Sequence, residues 1–347
     1  MRALAFGGKR SVTTIEVPDP TPGLGEVVIE IKASGMCGSD LHYYRSASGS
    51  GGPVASATLA EPVIAGHEPC GVIAAVGPGV AQNEAWIGQR VMVHHYWGCS
   101  VCEQCRSGWA QMCTQLSPKI YGVNANGAHA PYLKVPARTV VPLPDELSFD
   151  AGAAISCGTG TAYFALRRLN LSGRETIAIF GQGPVGLAAT QLAVAQGARV
   201  IALDINAERL AQARAFGADA ALNPQEGDPV AAIKDLTHGG ADMAMDTSGV
   251  SSARTMAIRC VRLWGSVSLV GAGGDLQIAI AEMMRRQITI MTSWTFSTVG
   301  QAECARFVAE RGIDVDRIFT HHWSLSQGEA AYKLFDRQNA GKGVFHP

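Results

Sequence analysis

The chain has 347 residues, 47% of them hydrophobic, with 28 basic side chains against 29 acidic ones and a formal net charge of −1. That length suits roughly two domains at about 100–200 residues each, and the apolar content excludes wholesale disorder. Balanced charge offers no broad attraction to nucleic acid or a membrane surface, so a small molecule is the expected partner. Only 16% of residues are charged while 40 are glycine, which points to tight turns and closely approached backbone. No signal-peptide pattern and no apolar run of about 18 residues is present, so the expected location is cytoplasmic. Four of the nine cysteines crowd into Cys99–Cys113, which argues for metal chemistry before a disulfide framework.

From Arg2 to about Val141 short β-type runs alternate with Gly and Pro: Val27–Ile31, Gly71–Val76 and Arg90–Val93. This pattern predicts a mostly β, loop-rich domain. A Ser/Gly/Ala-rich insert, Ser46–Thr58, interrupts it, placed to act as a lid over a cleft. After Pro142, Pro144 and Asp145 the rhythm becomes β then α. Strands are expected at Thr176–Phe180, Arg199–Asp204, Ala241–Asp246, Ser266–Val270 and Gln287–Met291, with helices at Val185–Gln196 and Glu208–Phe216. Continuous apolar strands alternating with helices predict a doubly wound parallel sheet. Gln301–Arg311 and Ser326–Asn339 read as amphipathic helices that pack back on the first domain. The fold class is therefore α/β, with domains at 1–157 and 158–297 and a return to the first domain over 298–347.

Gly181-Gln182-Gly183-Pro184-Val185-Gly186 follows an apolar strand and opens a helix, the context that a dinucleotide-binding G-x-G-x-x-G requires. The first glycine allows the tight turn, the second lets a pyrophosphate approach the backbone, and the third packs helix on strand. Asp204 closes the next strand, where a carboxylate accepts hydrogen bonds from the adenosine ribose and repels the 2′-phosphate of NADP. NAD is the favoured cofactor. Arg209 either lines the ribose pocket or sits on the exposed face of a helix.

Cys99, Cys102, Cys105 and Cys113 supply four thiolates within one loop, a set suited to a closed structural zinc site. A second group is scattered. Cys37, Ser39, Asp40 and His42 lie just after one apolar strand, His67 and Glu68 follow Gly66, and Cys157 falls near the domain junction. Two cysteines with one histidine is a known catalytic zinc set that keeps a fourth position open. Taken singly, Cys157 also fits a small buried hydrophobe and His67 a satisfied core histidine.

Gly66-His67-Glu68, the four-cysteine loop and Gly181–Gly186, in this order, resemble the zinc-dependent medium-chain dehydrogenase/reductase family over essentially the whole chain. The resemblance implies a GroES-like catalytic domain, a Rossmann coenzyme domain and an active site in the cleft between them. It implies Cys37, His67 and Cys157 as catalytic zinc ligands, with Glu68 as a supporting or transient ligand. Ser39 and His42 match the family's proton relay, and Asp40 the residue that orients His67 through its other ring nitrogen. Thr161, Val185, Thr247, Val270 and Gly271 fall where the family contacts nicotinamide. Two zinc ions per chain, NAD, and a homo-oligomer, a tetramer ahead of a dimer, go with it.

Cys37–His42 followed by Tyr43-Tyr44 resembles the polyol branch of the family, but that branch carries Glu where this chain has Cys157. Gly38 stands where some alcohol dehydrogenases have a phosphate-binding Arg. Four residues before Cys99, His95 holds a position that lines the substrate cleft in related enzymes, and Trp294 with Phe296 is expected to wall its far side. The expected reaction is hydride transfer between a secondary alcohol, diol or polyol, or the matching ketone or aldehyde, and NAD. A simple alcohol dehydrogenase and an NADP-dependent aldehyde reductase are the alternatives among enzymes. A zinc- and nucleotide-binding redox sensor is the alternative outside them.

Overall fold

The computed structural model describes residues 1–47, 62–337 and 341–347, so the insert Ser46–Thr58 lies outside the described residues from position 48 onward. Two compact units are present, Met1–Gly160 with Phe296–Pro347, and Thr161–Thr295. No helix among the described residues is long and apolar enough to cross a membrane.

The first unit is built on a seven-stranded sheet. Its spine is Glu26–Gly35, paired antiparallel with Glu68–Val76 on one side and with Tyr132–Pro136 on the other. Alternation in Val27, Ile29 and Ile31 drives one face into a core with Ile73, Val91, Val93, Leu133 and Val135, as period-2 patterning requires. Three expected β runs fall within the observed strands Glu26–Gly35, Glu68–Val76 and Arg90–Val93. The C-terminal segment adds two parallel strands, Phe319–Trp323 and Lys342–Phe345, the latter pairing with the end of the spine. Expected helices in that segment appear as Thr298–Glu310 and Gly328–Phe335. The second is shorter than its hydrophobic pattern suggested because residues 325–327 form a 3-10 turn closed by a Ser324–Gln327 capping box; its expected end at Asn339 lies outside the described residues.

The second unit is a six-stranded parallel sheet. Its spatial order is Ala220–Leu222, Arg199–Leu203, Thr176–Phe180, Ala241–Asp246, Val261–Leu269 and Thr289–Thr292. This is the doubly wound order that reverses between the third and fourth positions, and such sheets bind ligands outside the carboxyl ends of the strands there. Helix Pro184–Ala195 follows the central strand, with proline in its first turn, where the missing N–H costs nothing. Two strands differ from expectation. Val261–Leu269 starts five residues early, directly at the end of helix Ser251–Cys260. Ala220–Leu222, an Ala-Ala-Leu edge of three residues, carries too little β propensity to be read locally.

Candidate active site

Strand Glu26–Gly35 ends in Met36 and Cys37, and a one-turn-and-a-half helix, Asp40–Arg45, turns the chain away. His67 precedes strand Glu68–Val76, which pairs with the same spine, Gly35 opposite Glu68. Gly66 before it has φ of +90°, and any Cβ there would lie 2.4 Å from the His129 ring, so only glycine fits. Cys157 occupies the two-residue link between helices Phe149–Ile155 and Gly158–Leu169. That link is pinned by Ser156, whose hydroxyl reaches the Pro69 and Gly152 carbonyls at 2.9 Å. The fold therefore brings donors from three distant segments together: one ligand atom each of Cys37, His67, Glu68 and Cys157 lie within 4.8 Å of one another.

Around this set every charge is buried and partnered. Asp40 Oδ1 stands 2.8 Å from His67 Nδ1, while Asp40 Oδ2 accepts the Cys37 N–H at 2.8 Å and the Tyr332 hydroxyl at 3.2 Å. That leaves His67 Nε2 facing the sulfurs. Tyr332 is itself 2.7 Å from His129 Nε2, and His129 Nδ1 is 2.7 Å from Ser34 Oγ. Glu68 Oε2 pairs with Lys342 Nζ at 2.5 Å, and Lys342 also donates to the Met36 carbonyl at 2.8 Å. Burial pushes the Glu68 carboxyl up to about 8, with Lys342 opposing the shift. Ser39 Oγ lies 3.3 Å from Cys37 Sγ and 3.2 Å from His67 Nε2. His42 is on the same short helix with its side chain exposed.

The chemistry of the donors fits a divalent ion. Cys37 and Cys157 sulfurs are 3.9 Å apart; the Cys157 hydrogen bond holds the Cys37 thiol well below its ordinary value, against burial, and Cys157 is pushed well above its own. Two thiols sharing one proton in a buried site lose the second only if a cation compensates. Three soft donors in this space suit zinc with one position left for substrate.

His95 is 1% exposed, its ring 5.3 Å from that of His67 and 6.2 Å from that of Phe296. It is not one of a surface pair, since His94 is fully buried as well. Burial holds the His95 imidazole well below its ordinary value, so it is neutral, and Nδ1 lies 2.8 Å from the Ser156 carbonyl. A carbonyl accepts only, which puts the ring proton on Nδ1 and makes Nε2 an acceptor. Trp294 belongs to the second unit and is 43% exposed.

The four-cysteine lobe is assembled locally. Ligand atoms of Cys99, Cys102, Cys105 and Cys113 lie within 4.8 Å of one another. Backbone N–H groups of Cys102 and Leu116 point at sulfurs, each at 3.3 Å. Hydrogen bonds from the Thr114 and Cys105 backbone draw the Cys102 thiol down to about 6, the direction that thiolate ligation needs. A closed all-cysteine set is the donor chemistry of structural zinc.

In the second unit, Gly181 has φ of +88° and follows the central strand. A Cβ on Gly186 would sit 1.8 Å from the Gly181 carbonyl, whereas one on Gly183 would meet nothing within 4 Å. Helix contact thus forbids a side chain at one glycine, while the other leaves its backbone open to a ligand, as a pyrophosphate cradle requires. Asp204 accepts the Gln182 N–H at 2.6 Å and the Asn206 N–H at 2.8 Å, with Arg209 3.8 Å away. The Thr247 hydroxyl donates to the Gly181 carbonyl at 2.8 Å. Thr247 follows the carboxyl end of Ala241–Asp246, the strand beside the one leading into Gly181, and Val270 and Gly271 follow that of Val261–Leu269, one strand further on. Pro184, Val185 and Thr161 lie on helices Pro184–Ala195 and Gly158–Leu169. A buried brace went unread in the sequence: Arg254 pairs with Asp246 at 3.2 Å and donates to the Gly271 and Gly274 carbonyls. Tyr332, His129 and Lys342 were unread too; a lysine flanked by glycines in the apolar strand Lys342–Phe345 was the one available signal.

Comparison with known proteins agrees with this architecture. Residues 23–145 match the alcohol dehydrogenase GroES-like domain and residues 184–310 the zinc-binding dehydrogenase domain. The chain is 38% identical to the uncharacterized zinc-type alcohol dehydrogenase-like protein YphC of Escherichia coli K12, covering 100% of this chain and 98% of that protein. It is 30% identical to L-threonine 3-dehydrogenase of Francisella tularensis, with 99% of each covered. Alcohol dehydrogenase TADH from Thermus sp. ATN1 superposes with a TM-score of 0.89 at 28% identity, over 100% of this chain and 99% of that one. The chain belongs to the zinc-dependent medium-chain dehydrogenase/reductase family. Its first unit is GroES-like and its second a Rossmann-type sheet, and the protein is a zinc-type alcohol dehydrogenase-like oxidoreductase.

Proposed function

We propose that the protein oxidises a secondary alcohol or vicinal diol carrying polar substituents, or reduces the matching ketone, with NAD and two zinc ions per chain. The observation that carries this reading is the open Cys37–His67–Cys157 set with the Ser39 hydroxyl within 3.3 Å of two of its donor atoms. Zinc held by Cys37, His67 and Cys157 would supply Lewis acidity that eases loss of the hydroxyl proton, and NAD would supply the hydride acceptor. Ser39, whose hydroxyl lies beside Cys37 Sγ and His67 Nε2, would accept that proton while releasing its own, and exposed His42 would pass a proton on to water. Asp40 holds the His67 ring with Nε2 inward, and Tyr332 holds Asp40. Lys342 keeps Glu68 charge-balanced, so a carboxylate can stand beside the ligands without an unpaired buried charge. Cys99, Cys102, Cys105 and Cys113 hold the second zinc and the shape of their lobe.

Substrate class rests on His95. Its Nε2 acceptor matches a second hydroxyl or an ammonium group on the substrate and mismatches a carbonyl, and threonine, a secondary alcohol with polar neighbours, is of this class. Preference for NAD rests on Asp204, whose carboxylate ends the second strand of the sheet. Steady-state assays of zinc-loaded protein against simple alcohols, diols, polyols, sugar acids and L-threonine, each with NAD and NADP, test the reading. Highest kcat/KM is expected for a hydroxy-substituted or amino-substituted secondary alcohol with NAD. Highest efficiency on unsubstituted alcohols, or with NADP, would overturn it.

A further inference from the structure

Outside both cysteine sets, three metal-ligating side chains converge from segments far apart in the chain. His322 lies on strand Phe319–Trp323, and His346 follows strand Lys342–Phe345, which runs parallel beside it. The His346 N–H continues that ladder by donating to the Trp323 carbonyl at 2.9 Å. Asp150 sits in the first turn of helix Phe149–Ile155, whose cap is Ser148. Asp150 presents one oxygen to each imidazole: Oδ1 is 2.8 Å from His346 Nε2 and Oδ2 is 3.4 Å from His322 Nδ1. The two rings stack with centroids 5.4 Å apart, and one donor atom from each of the three residues lies within 4.8 Å of the others.

We propose that Asp150, His322 and His346 form a further binding site for an imidazole-preferring divalent transition-metal ion, with water completing the coordination. Two imidazoles and a carboxylate on one side of an ion are a recurrent ligand set. One donor atom from each residue lies within 4.8 Å of the others, close to the edge of about 3.3 Å that metal–ligand bonds of about 2.0–2.1 Å subtend in a tetrahedron, and rotation of the half-exposed rings closes the gap. A divalent ion would draw on a lone pair from each ring and on the carboxylate charge at one centre, so all three side chains would serve a single ligand. Asp316, held by Ser148 Oγ at 2.5 Å, is a neighbouring carboxyl whose acidity is weakened by burial and, to a lesser degree, by the Asp150 charge, against the Ser148 hydrogen bond. Side chains of His322 and His346 are 56% and 45% exposed, so an ion reaches them from solvent without opening the fold.

A bound ion would clamp the C-terminal strand that carries Lys342 to the helix that leads into Cys157. The test compares zinc-loaded wild type with His322→Gln, His346→Gln and the double substitution. Glutamine keeps an N–H for Asp150 but is a poor metal ligand, and the half-exposed positions leave the fold intact, which circular dichroism checks. After equilibrium dialysis against micromolar Zn2+, the wild type should retain one equivalent more than the double variant. Each single substitution should weaken that equivalent by more than the about 10–100-fold that loss of a supporting partner costs. Added Zn2+ should raise the melting temperature of the wild type more than that of the double variant, because the extra ion binds only the folded state. The comparison is a difference between variants, so it stands whatever the cysteine sets hold. Equal zinc counts in wild type and double variant, or an equal thermal response, would overturn the site.

Discussion

The four-cysteine lobe and the Cys37–His67–Cys157 set offer similar donors and are built in opposite ways. All four thiols of the lobe come from one loop between Cys99 and Cys113, three of them part-exposed, with backbone N–H groups as their main support. The open set takes its donors from a strand end, a loop and an interhelical link, and each is fixed by a buried partner: Asp40 for His67 and for the Cys37 N–H, and Ser156 for the link at Cys157. On the proposed reading, a metal ion would do much of the organising in the lobe, whereas at the open set the fold arranges the donors first and so could leave one position free. The first arrangement would then contribute mainly to stability and the second to turnover.

That contrast breaks most sharply at Cys157. Cys157→Ser removes one ligand from a pre-built site, so kcat/KM should fall at least about a thousandfold, as expected where several kcal/mol of charge stabilisation is lost. Melting temperature should change little, and metal analysis should find about one zinc fewer per chain. A variant that kept wild-type turnover would remove Cys157 from the catalytic set. Cys102→Ser should do the reverse. Metal binding to such loops is largely folding free energy, so if the lobe's share is about 3–5 kcal/mol the melting temperature drops by about 4–7 °C, at roughly 1.4 °C per kcal/mol for a 347-residue chain. Activity per folded, zinc-bearing molecule should persist. Calorimetry beside active-site titration checks both halves.

The same contrast explains what was legible in the sequence. Spacing alone marks Cys99, Cys102, Cys105 and Cys113, and a glycine pattern between strand and helix marks Gly181–Gly186, because both sites are made by contiguous residues. Cys37, His67 and Cys157 became a set only through the order of motifs shared with a family, since no local rule joins residues 120 positions apart. Lys342, Tyr332 and His129 were invisible for the same reason: their roles exist only after the C-terminal strand and helix fold back onto the first unit. Strand ends blurred where propensity is weak, as at Ala220–Leu222.

On the cofactor side, Asp204→Ser tests a residue that was legible. If the adenosine ribose binds beside Asp204 as proposed, a 2′-phosphate would bring further negative charge there, and removing the carboxylate should narrow the NAD over NADP preference by about tenfold, the worth of roughly 1.4 kcal/mol in a partly screened pair. Serine can still accept one of the two backbone hydrogen bonds that Asp204 takes from Gln182 and Asn206. An unchanged ratio of kcat/KM for the two cofactors would move the discrimination elsewhere, with Arg209 the nearest charged neighbour.

The smallest expected effect is at His95, and it bears on substrate. The imidazole is buried, neutral and oriented by the Ser156 carbonyl, so it touches the same link that positions Cys157. Replacing it with phenylalanine keeps a ring against Phe296 and His67 but removes the Nε2 acceptor. The cost should therefore fall on substrates with a second hydroxyl or ammonium group and spare matched mono-alcohols. One neutral hydrogen bond is worth about 0.5–1.5 kcal/mol, so the ratio of kcat/KM for a diol over its chain-matched mono-alcohol should shrink by about 3–10-fold. A uniform fall on both substrates would mean that His95 acts through Ser156 on the ligand link. A His95→Phe enzyme with an unchanged ratio would overturn the polar-substrate reading and favour simple alcohols.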